Sequence, residues 1–297
     1  MLDESISFDP EKRKTIESSV KADTFMCFTC SSCLNECPIS IATHRLDPRK
    51  IVRLVAYGML DELLHLPEIW YCLTCKRCNY VCPMEVKPSD LIMYARKEAI
   101  SRSVIEYETV RKFRELFGQF QRVRWHMATQ CRTNIDILAL EDNWQEWFET
   151  SGAARKEKMV PIDFSSRKET LKETDKDARA SACLTCCECS NSCPVCYERE
   201  VFDPVCIFRM SHLGMLEELL NSPSIWLCID CQRCTDTCSQ LVKGHSIIQR
   251  LRERAVKEGY LDTAFLLRWH DAGKALYPQL IKKIDELFGY VPRESVA

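Results

Sequence analysis

The spacing of the cysteines limits what this chain can fold into more than any other feature. Cys27, Cys30, Cys33 and Cys37-Pro38 form a C-x2-C-x2-C-x3-C-P run, answered by Cys72, Cys75, Cys78 and Cys82-Pro83. Such a run lets three thiolates wrap one face of an iron-sulfur cubane while the fourth cysteine reaches a neighbouring cluster. The pair of runs then recurs, at Cys183, Cys186, Cys189 and Cys193-Pro194 and at Cys228, Cys231, Cys234 and Cys238. Cys131, Cys187, Cys196 and Cys206 fall outside the pattern and read as small buried side chains.

Every one of these sixteen cysteines has its counterpart 156 positions away, with no gap, and the match extends beyond them. Phe8 maps to Phe164, Asp47-Pro48 to Asp203-Pro204, Gly58-Met59-Leu60 to Gly214-Met215-Leu216, and Ile69-Trp70 to Ile225-Trp226. This is a duplicated domain. Past the cysteines the register slips, since Arg124-Trp125-His126 recurs as Arg268-Trp269-His270. The expected division is a first domain over 1–150, a charged linker over 151–160 and a second domain over 161–297.

Local signals in both copies are helical. Asp47-Pro48 offers an N-cap with proline at the first helical position, and Ile51, Val52, Leu54, Val55, Met59, Leu60, Leu63 and Leu64 follow with 3.6-residue spacing. Ser222-Pro223 repeats the start signal, and Ser89 and Ser246 open further apolar-periodic stretches. Hairpin turns and alternating strands are missing. The expected fold is all-α, two tandem copies with cubanes held between helices.

These residues resemble the iron-sulfur C subunits of heterodisulfide reductases and their relatives, which carry an α-helical ferredoxin domain. The resemblance rests on the Cys27 to Pro38 run, the Arg49-Lys50-Ile51-Val52 stretch, Ile69-Trp70-x-Cys72, and Cys82-Pro83-x2-Val86-Lys87-Pro88. It covers about 20–100 and again 176–256. It implies two tandem α-helical ferredoxin-like domains, each built around two [4Fe-4S] clusters, with one cluster of the first taking Cys27, Cys30, Cys33 and the distant Cys82, and the next Cys72, Cys75, Cys78 and the distant Cys37. In the second copy it pairs Cys183, Cys186 and Cys189 with Cys238, and Cys228, Cys231 and Cys234 with Cys193. It further implies an electron-transfer subunit relaying single electrons from a flavin- or hydrogenase-type donor subunit to a terminal reductase subunit. The Cys-Cys-Gly spacing that holds the catalytic clusters of such reductases is missing, because Glu188 follows Cys186-Cys187.

Other readings fit less well. Structural zinc usually takes two separated cysteine pairs, and triads with a remote fourth ligand suit a cubane better. An open-site cluster in a quinone-linked or other dehydrogenase calls for a missing ligand, whereas this chain has extra cysteines. No dinucleotide loop or nucleophile elbow indicates catalysis by the chain itself. Trp70 and Trp226, two residues before a ligand, fit either a water-excluding role or the core, while Arg77 and Arg233 fit either cluster-charge compensation or a solvated surface. His126 and His270 read as structural. The acidic start, Met1-Leu2-Asp3-Glu4, lacks a signal-peptide pattern, so disulfides are not expected and a reducing cytoplasm is. No apolar run reaches about 18 residues, so membrane association is expected only through a partner. The formal net charge of -2, more acidic once cysteines become ligands, gives no reason to expect nucleic acid.

Overall fold

A computed structural model describes residues 8–132, 146–148 and 177–290, which are helical, with no strand among them. The linker expected over 151–160 and the repeat partner Phe164 lie outside the described residues.

Contacts divide the chain into two compact units, Met1–Phe113 with Lys274–Ala297, and Arg114–Gly273. Each holds one complete cysteine set. These limits differ from a division at 150 and 161, because both cuts fall inside long helices, Tyr107–Gln130 and Ala264–Phe288. Chain order alone does not say which core a long helix joins, since that depends on where its apolar side chains find partners.

The helix starts follow their sequence signals. Asp47 accepts the Arg49 amide at 2.9 Å and Pro48 opens Pro48–Ala56; Asp203 accepts the Val205 amide at 3.1 Å and Pro204 opens Pro204–Leu213. The apolar spacing predicts one helix running on to Leu64. It breaks instead at Gly58, where φ is 71°, and restarts as Leu60–Leu64. Gly214, at φ 81°, breaks the second copy in the same place before Leu216–Leu220. The cause at Gly58 is a close approach: a Cβ there would lie 1.9 Å from the Asp9 carbonyl oxygen.

Ser222 accepts the Ser224 amide at 3.2 Å, but the segment it opens, Pro223–Leu227, is a 3-10 turn rather than an α-helix. The helices near Ser89 and Ser246 begin slightly earlier than expected, as Pro88–Ser101 and Gly244–Lys257. Where both copies are described, elements recur at the 156-residue offset, apart from the 3-10 segment Pro223–Leu227 that answers the α-helix Glu68–Tyr71 and one further difference. Pro38–Thr43 is helical after Cys37, whereas no helix follows Cys193.

In the first unit Ile51, Val52, Val55, Leu63 and Leu64 are buried together with Leu91, Ile92 and Ala95 of Pro88–Ser101. Trp70, 1% exposed, packs against Phe113 and Phe288 with ring centroids 5.5 and 4.7 Å away. The Tyr71 hydroxyl donates to Asp285, and Arg45 donates to both at 2.8 and 3.0 Å. Burial, then the bond to Asp285, pushes the Tyr71 phenol well above its ordinary value, so it stays a donor.

In the second unit Trp226 meets Phe265 at 4.6 Å, with Phe202, Phe208, Ile247 and Leu251 also buried. Its irregular segments are tied down by side chains. Gln121 accepts the amides of Tyr197 and Glu198 at 2.7 Å each, and Arg124 donates to the Leu227 carbonyl at 2.9 Å. His126 stacks on Trp147 and is partly buried, while His270 is exposed.

Candidate metal centres

Each of the four cysteine runs bends the same way. The residues on either side of the middle cysteine of each triad are left-handed: Thr29 and Ser31, Thr74 and Lys76, Thr185 and Cys187, Asp230 and Gln232, all with φ between 53° and 68°. None is glycine, and β-branched threonine in this region is a true outlier. At about 1–2 kcal/mol each, eight such residues cost as much as the entire net stability of a typical domain, roughly 5–15 kcal/mol. Strain of this size persists only when the surroundings over-determine it. Alternating right- and left-handed residues also turn successive N–H groups to one side, making the kind of concavity that receives anions and iron-sulfur clusters.

In the first unit these loops line two partly open cavities. One is lined by Cys27, Cys30, Cys33 and Cys82, with Arg49 and Phe28 on its wall. The other is lined by Cys72, Cys75, Cys78 and Cys37, with Lys76 and Arg77. The triad of each run therefore meets the outlying cysteine of the other. Among the described residues no three His, Cys, Asp or Glu side chains converge as a single metal ion would need; the cysteines ring a volume instead.

Amide donors aim at the sulfurs. Thr74 donates to Cys72 Sγ at 3.3 Å and Val86 to Cys82 Sγ at 3.4 Å; their counterparts Asp230 and Val242 donate to Cys228 and Cys238 at 3.4 Å each. Thiol ionisation is otherwise opposed. Burial pushes Cys33 up to about 11, with Asp47 and then Cys27, Cys30 and Cys82 adding to it. Burial likewise raises Cys78, with Cys72, Cys75 and Cys37 adding. Buried thiols that resist charge in this way, Cys33 and Cys78 among them, ionise together with their neighbours only beside a polycation.

The second unit repeats the neighbourhoods. Cys193 is pushed up by burial and by Cys231 and Cys228, and Cys189, about 11, by burial and by Cys183. The extra cysteines correct an expectation, because only Cys131 is buried, at 1% exposure. Cys206 is exposed, on the helix surface where Lys50 stands in the first copy. Cys187 and Cys196 are half-buried. Cys187 occupies a left-handed position of its loop, with φ 64°, the place Ser31 holds in the first copy.

Trp70 and Trp226 do not line the cavities given above; they belong to the cores behind the loops. Arg77 does line one, and it also pairs with Glu36 at 3.3 Å.

Sequence reasoning overlooked two positioning residues. Arg96 donates to the carbonyls of Ile69, Trp70 and Cys72 at 2.7, 3.0 and 2.6 Å, and lies over the Trp70 ring. Arg252 does the same for Ile225 and Cys228 at 2.9 and 2.5 Å and lies over Trp226. Each arginine thus fixes the end of the turn that delivers the first ligand of a triad. The available signal was an arginine repeated at the 156-residue offset inside a helix with an apolar face. Arg96→Met, which keeps the stem and loses the donors, should lower stability by about 2–3 kcal/mol, as several carbonyls lose a charged donor. Denaturant titration of the metal-loaded protein would measure it, and a change below the error would show that the arginine does not hold the turn.

Comparison with known proteins agrees with this geometry. Residues 26–87 match a family model, the 4Fe-4S dicluster domain. The dicluster match spans both runs of the first copy, from just before Cys27 to just after Cys82. The chain is also similar to the C subunit of the H(2):CoB-CoM heterodisulfide,ferredoxin reductase of Methanothermobacter thermautotrophicus, 34% identical over 94 residues, 31% of this chain and 50% of that protein. An iron-sulfur C subunit of the CoB--CoM heterodisulfide reductase of Methanocaldococcus jannaschii is 37% identical over 87 residues, 29% of this chain and 44% of that protein. A protein of Archaeoglobus profundus, itself named for its likeness to the C subunit of heterodisulfide reductase, is 28% identical over 91 residues, 31% of this chain and 48% of that one. The chain spans about half the length of the curated relatives it matches. No solved structure matches it.

Proposed function

We propose that this chain is an electron-transfer iron-sulfur subunit of a heterodisulfide reductase-like complex, holding four [4Fe-4S] clusters in two duplicated dicluster domains. The observation that carries the reading is the pair of cavities in the first unit, each ringed by a triad from one run and the outlying cysteine of the other. Cys27, Cys30, Cys33 and Cys82 would hold one cluster, and Cys72, Cys75, Cys78 and Cys37 the next. By the 156-residue correspondence, Cys183, Cys186, Cys189 and Cys238, and Cys228, Cys231, Cys234 and Cys193, hold the other two.

Once bound, such clusters accept and release one electron at a time. The chain's part is to insulate and tune. The Thr74, Val86, Asp230 and Val242 amides soften the charge on ligand sulfur, Arg49, Lys76 and Arg77 bring positive charge to the cavity walls, and the cores around Trp70 and Trp226 keep the loops rigid. A flavin- or hydrogenase-type donor subunit and a terminal reductase subunit are the partners that fit a relay, in the cytoplasm. No helix among the described residues is long and apolar enough to cross a membrane.

Anaerobic purification with iron and acid-labile sulfide analysis tests the count. About sixteen iron atoms per chain are expected. Zinc in place of iron, or colourless protein, would overturn the reading.

A further inference from the structure

We propose that the two cysteine sets impose different reduction potentials on the clusters they hold, the first set the higher, so that at equilibrium shared electrons rest on the first unit. This rests on the four-cluster reading. Each transfer moves one electron, oxidising one second-unit cluster and reducing one first-unit cluster, and needs no other reactant.

The duplication supplies its own control. Loop conformations match, and the amide bonds to Cys82 and Cys238 are both 3.4 Å, as those to Cys72 and Cys228 are 3.3 and 3.4 Å. At these four sulfurs the backbone donors match, and what differs beside them is fixed side-chain charge.

Two positions beside the triads differ by one charge unit in the same sense, while the charged partner of each is kept in both units, as Asp47 and Asp203 or as Arg96 and Arg252. In the first unit Arg49 lines the cavity of Cys27, Cys30, Cys33 and Cys82. It holds Asp47 through two nitrogens, at 3.0 and 2.8 Å, and donates to Ser31 at 2.6 Å. The carboxylate near Cys33 thus has a cation paired with it. The second unit keeps the carboxylate as Asp203 but has Val205 where the arginine would be. Asp203 takes the Ser190 hydroxyl and the Val205 amide, both uncharged, and that hydroxyl lies 4.0 Å from Cys189 Sγ. Arg199 is exposed and bonded to Asn191 rather than to Asp203.

The second difference lies beside the other triad. Thr74 of the first unit is replaced by Asp230, whose amide donates to Cys228 Sγ at 3.4 Å and whose carboxylate oxygen lies 3.8 Å from the same sulfur. Arg252 meets Asp230 at 2.8 Å, so part of that arginine's charge is used on a carboxylate the first copy does not carry at this position. Other charges change too: Lys76 on the cavity wall and Asp90, 3.0 Å apart, are replaced as a pair by Gln232 and Ser246. Glu36 beside Arg77 gives way to Ser192, and Tyr80 to Asp236, while Glu188 in the second unit and Glu85 in the first are exposed and largely screened. An added electron is better tolerated where the wall carries one more positive or one less negative charge.

The test is a mediated redox titration of the anaerobic, full-length holoprotein, followed by EPR, with iron counted in each sample. Wild-type protein should reduce in two groups of signals. Arg49→Val, a residue the second copy already carries at this position, should move one higher-potential signal down. The expected shift is about tenfold in the reduced-to-oxidised ratio at fixed ambient potential, about 59 mV for a one-electron couple. Asp230→Thr should move one lower-potential signal up by a similar factor. Arg49→Gln, which keeps a donor for Ser31, should shift like Arg49→Val; a return to the wild-type potential would overturn the charge argument. Full iron with unmoved or oppositely moved signals overturns the proposal alone. A wild-type iron count well short of four clusters overturns the ligation reading instead.

Discussion

Cys37→Ala should cost the first unit one whole cluster, about four iron atoms, although Cys72, Cys75 and Cys78 all remain. Cys37 is remote in sequence from that triad, yet it lines the same cavity. Cys82→Ala should likewise empty the cavity of Cys27, Cys30 and Cys33. Either change also unties two distant segments, so stability falls with the iron. In small domains organised by metal, binding contributes on the order of 10 kcal/mol to folding. The effect should exceed that of any core substitution, and the strained loops are expected to relax with it. Cys206→Ala is the control, being exposed and in none of the triads; it should leave iron and melting unchanged. Iron analysis with anaerobic thermal melts decides the matter. Full iron in Cys37→Ala, or loss of the Cys27 cluster in its place, would show that each run serves its own cluster.

Gly58→Ala should destabilise the first unit by about 3 kcal/mol or more. Two costs add. The residue is left-handed, which charges alanine about 1 kcal/mol, and the new methyl would lie 1.9 Å from a backbone oxygen that no rotamer change can move. Asp9 also caps the helix Pro10–Val20 and its amide bonds the Tyr57 carbonyl at 3.0 Å, so yielding there disturbs a helix start as well. Gly259→Ala separates the two causes. It is left-handed at φ 76° but has nothing within 4 Å of the added carbon, so only the smaller cost should appear. Equal losses for the two variants in denaturant titration would mean that the contact with Asp9 gives way freely.

Much of this arrangement can be read from residue order, because cysteine spacing and duplication are properties of the string itself. Proline at the first turn and aspartate before it are local chemistry, and the helices at Pro48 and Pro204 start where those residues say. What could not be read is decided at a distance. The apolar period through Leu64 carries no trace of the Asp9 backbone that forces the break at Gly58. Arg96 looks like any helical surface arginine until the carbonyls of Ile69, Trp70 and Cys72 are seen to end beneath it. Cys206 lies on the outer side of a helix whose start was placed correctly, and only the rotation of that helix shows it to be exposed. The dicluster match likewise stops at 87, ahead of the helix that carries Arg96.

The Tyr71 to Asp285 bond joins residues 214 positions apart, and Trp70 closes against Phe288 in the same unit. A ribosome releases Trp70 and Tyr71 long before it makes the helix that packs against them. Until then the nascent first unit has its indole and phenol wet, and closing so long a loop has an entropic cost. The core behind the first loops is therefore completed only when that late helix has been made, and a stop codon ahead of it would leave this core uncovered.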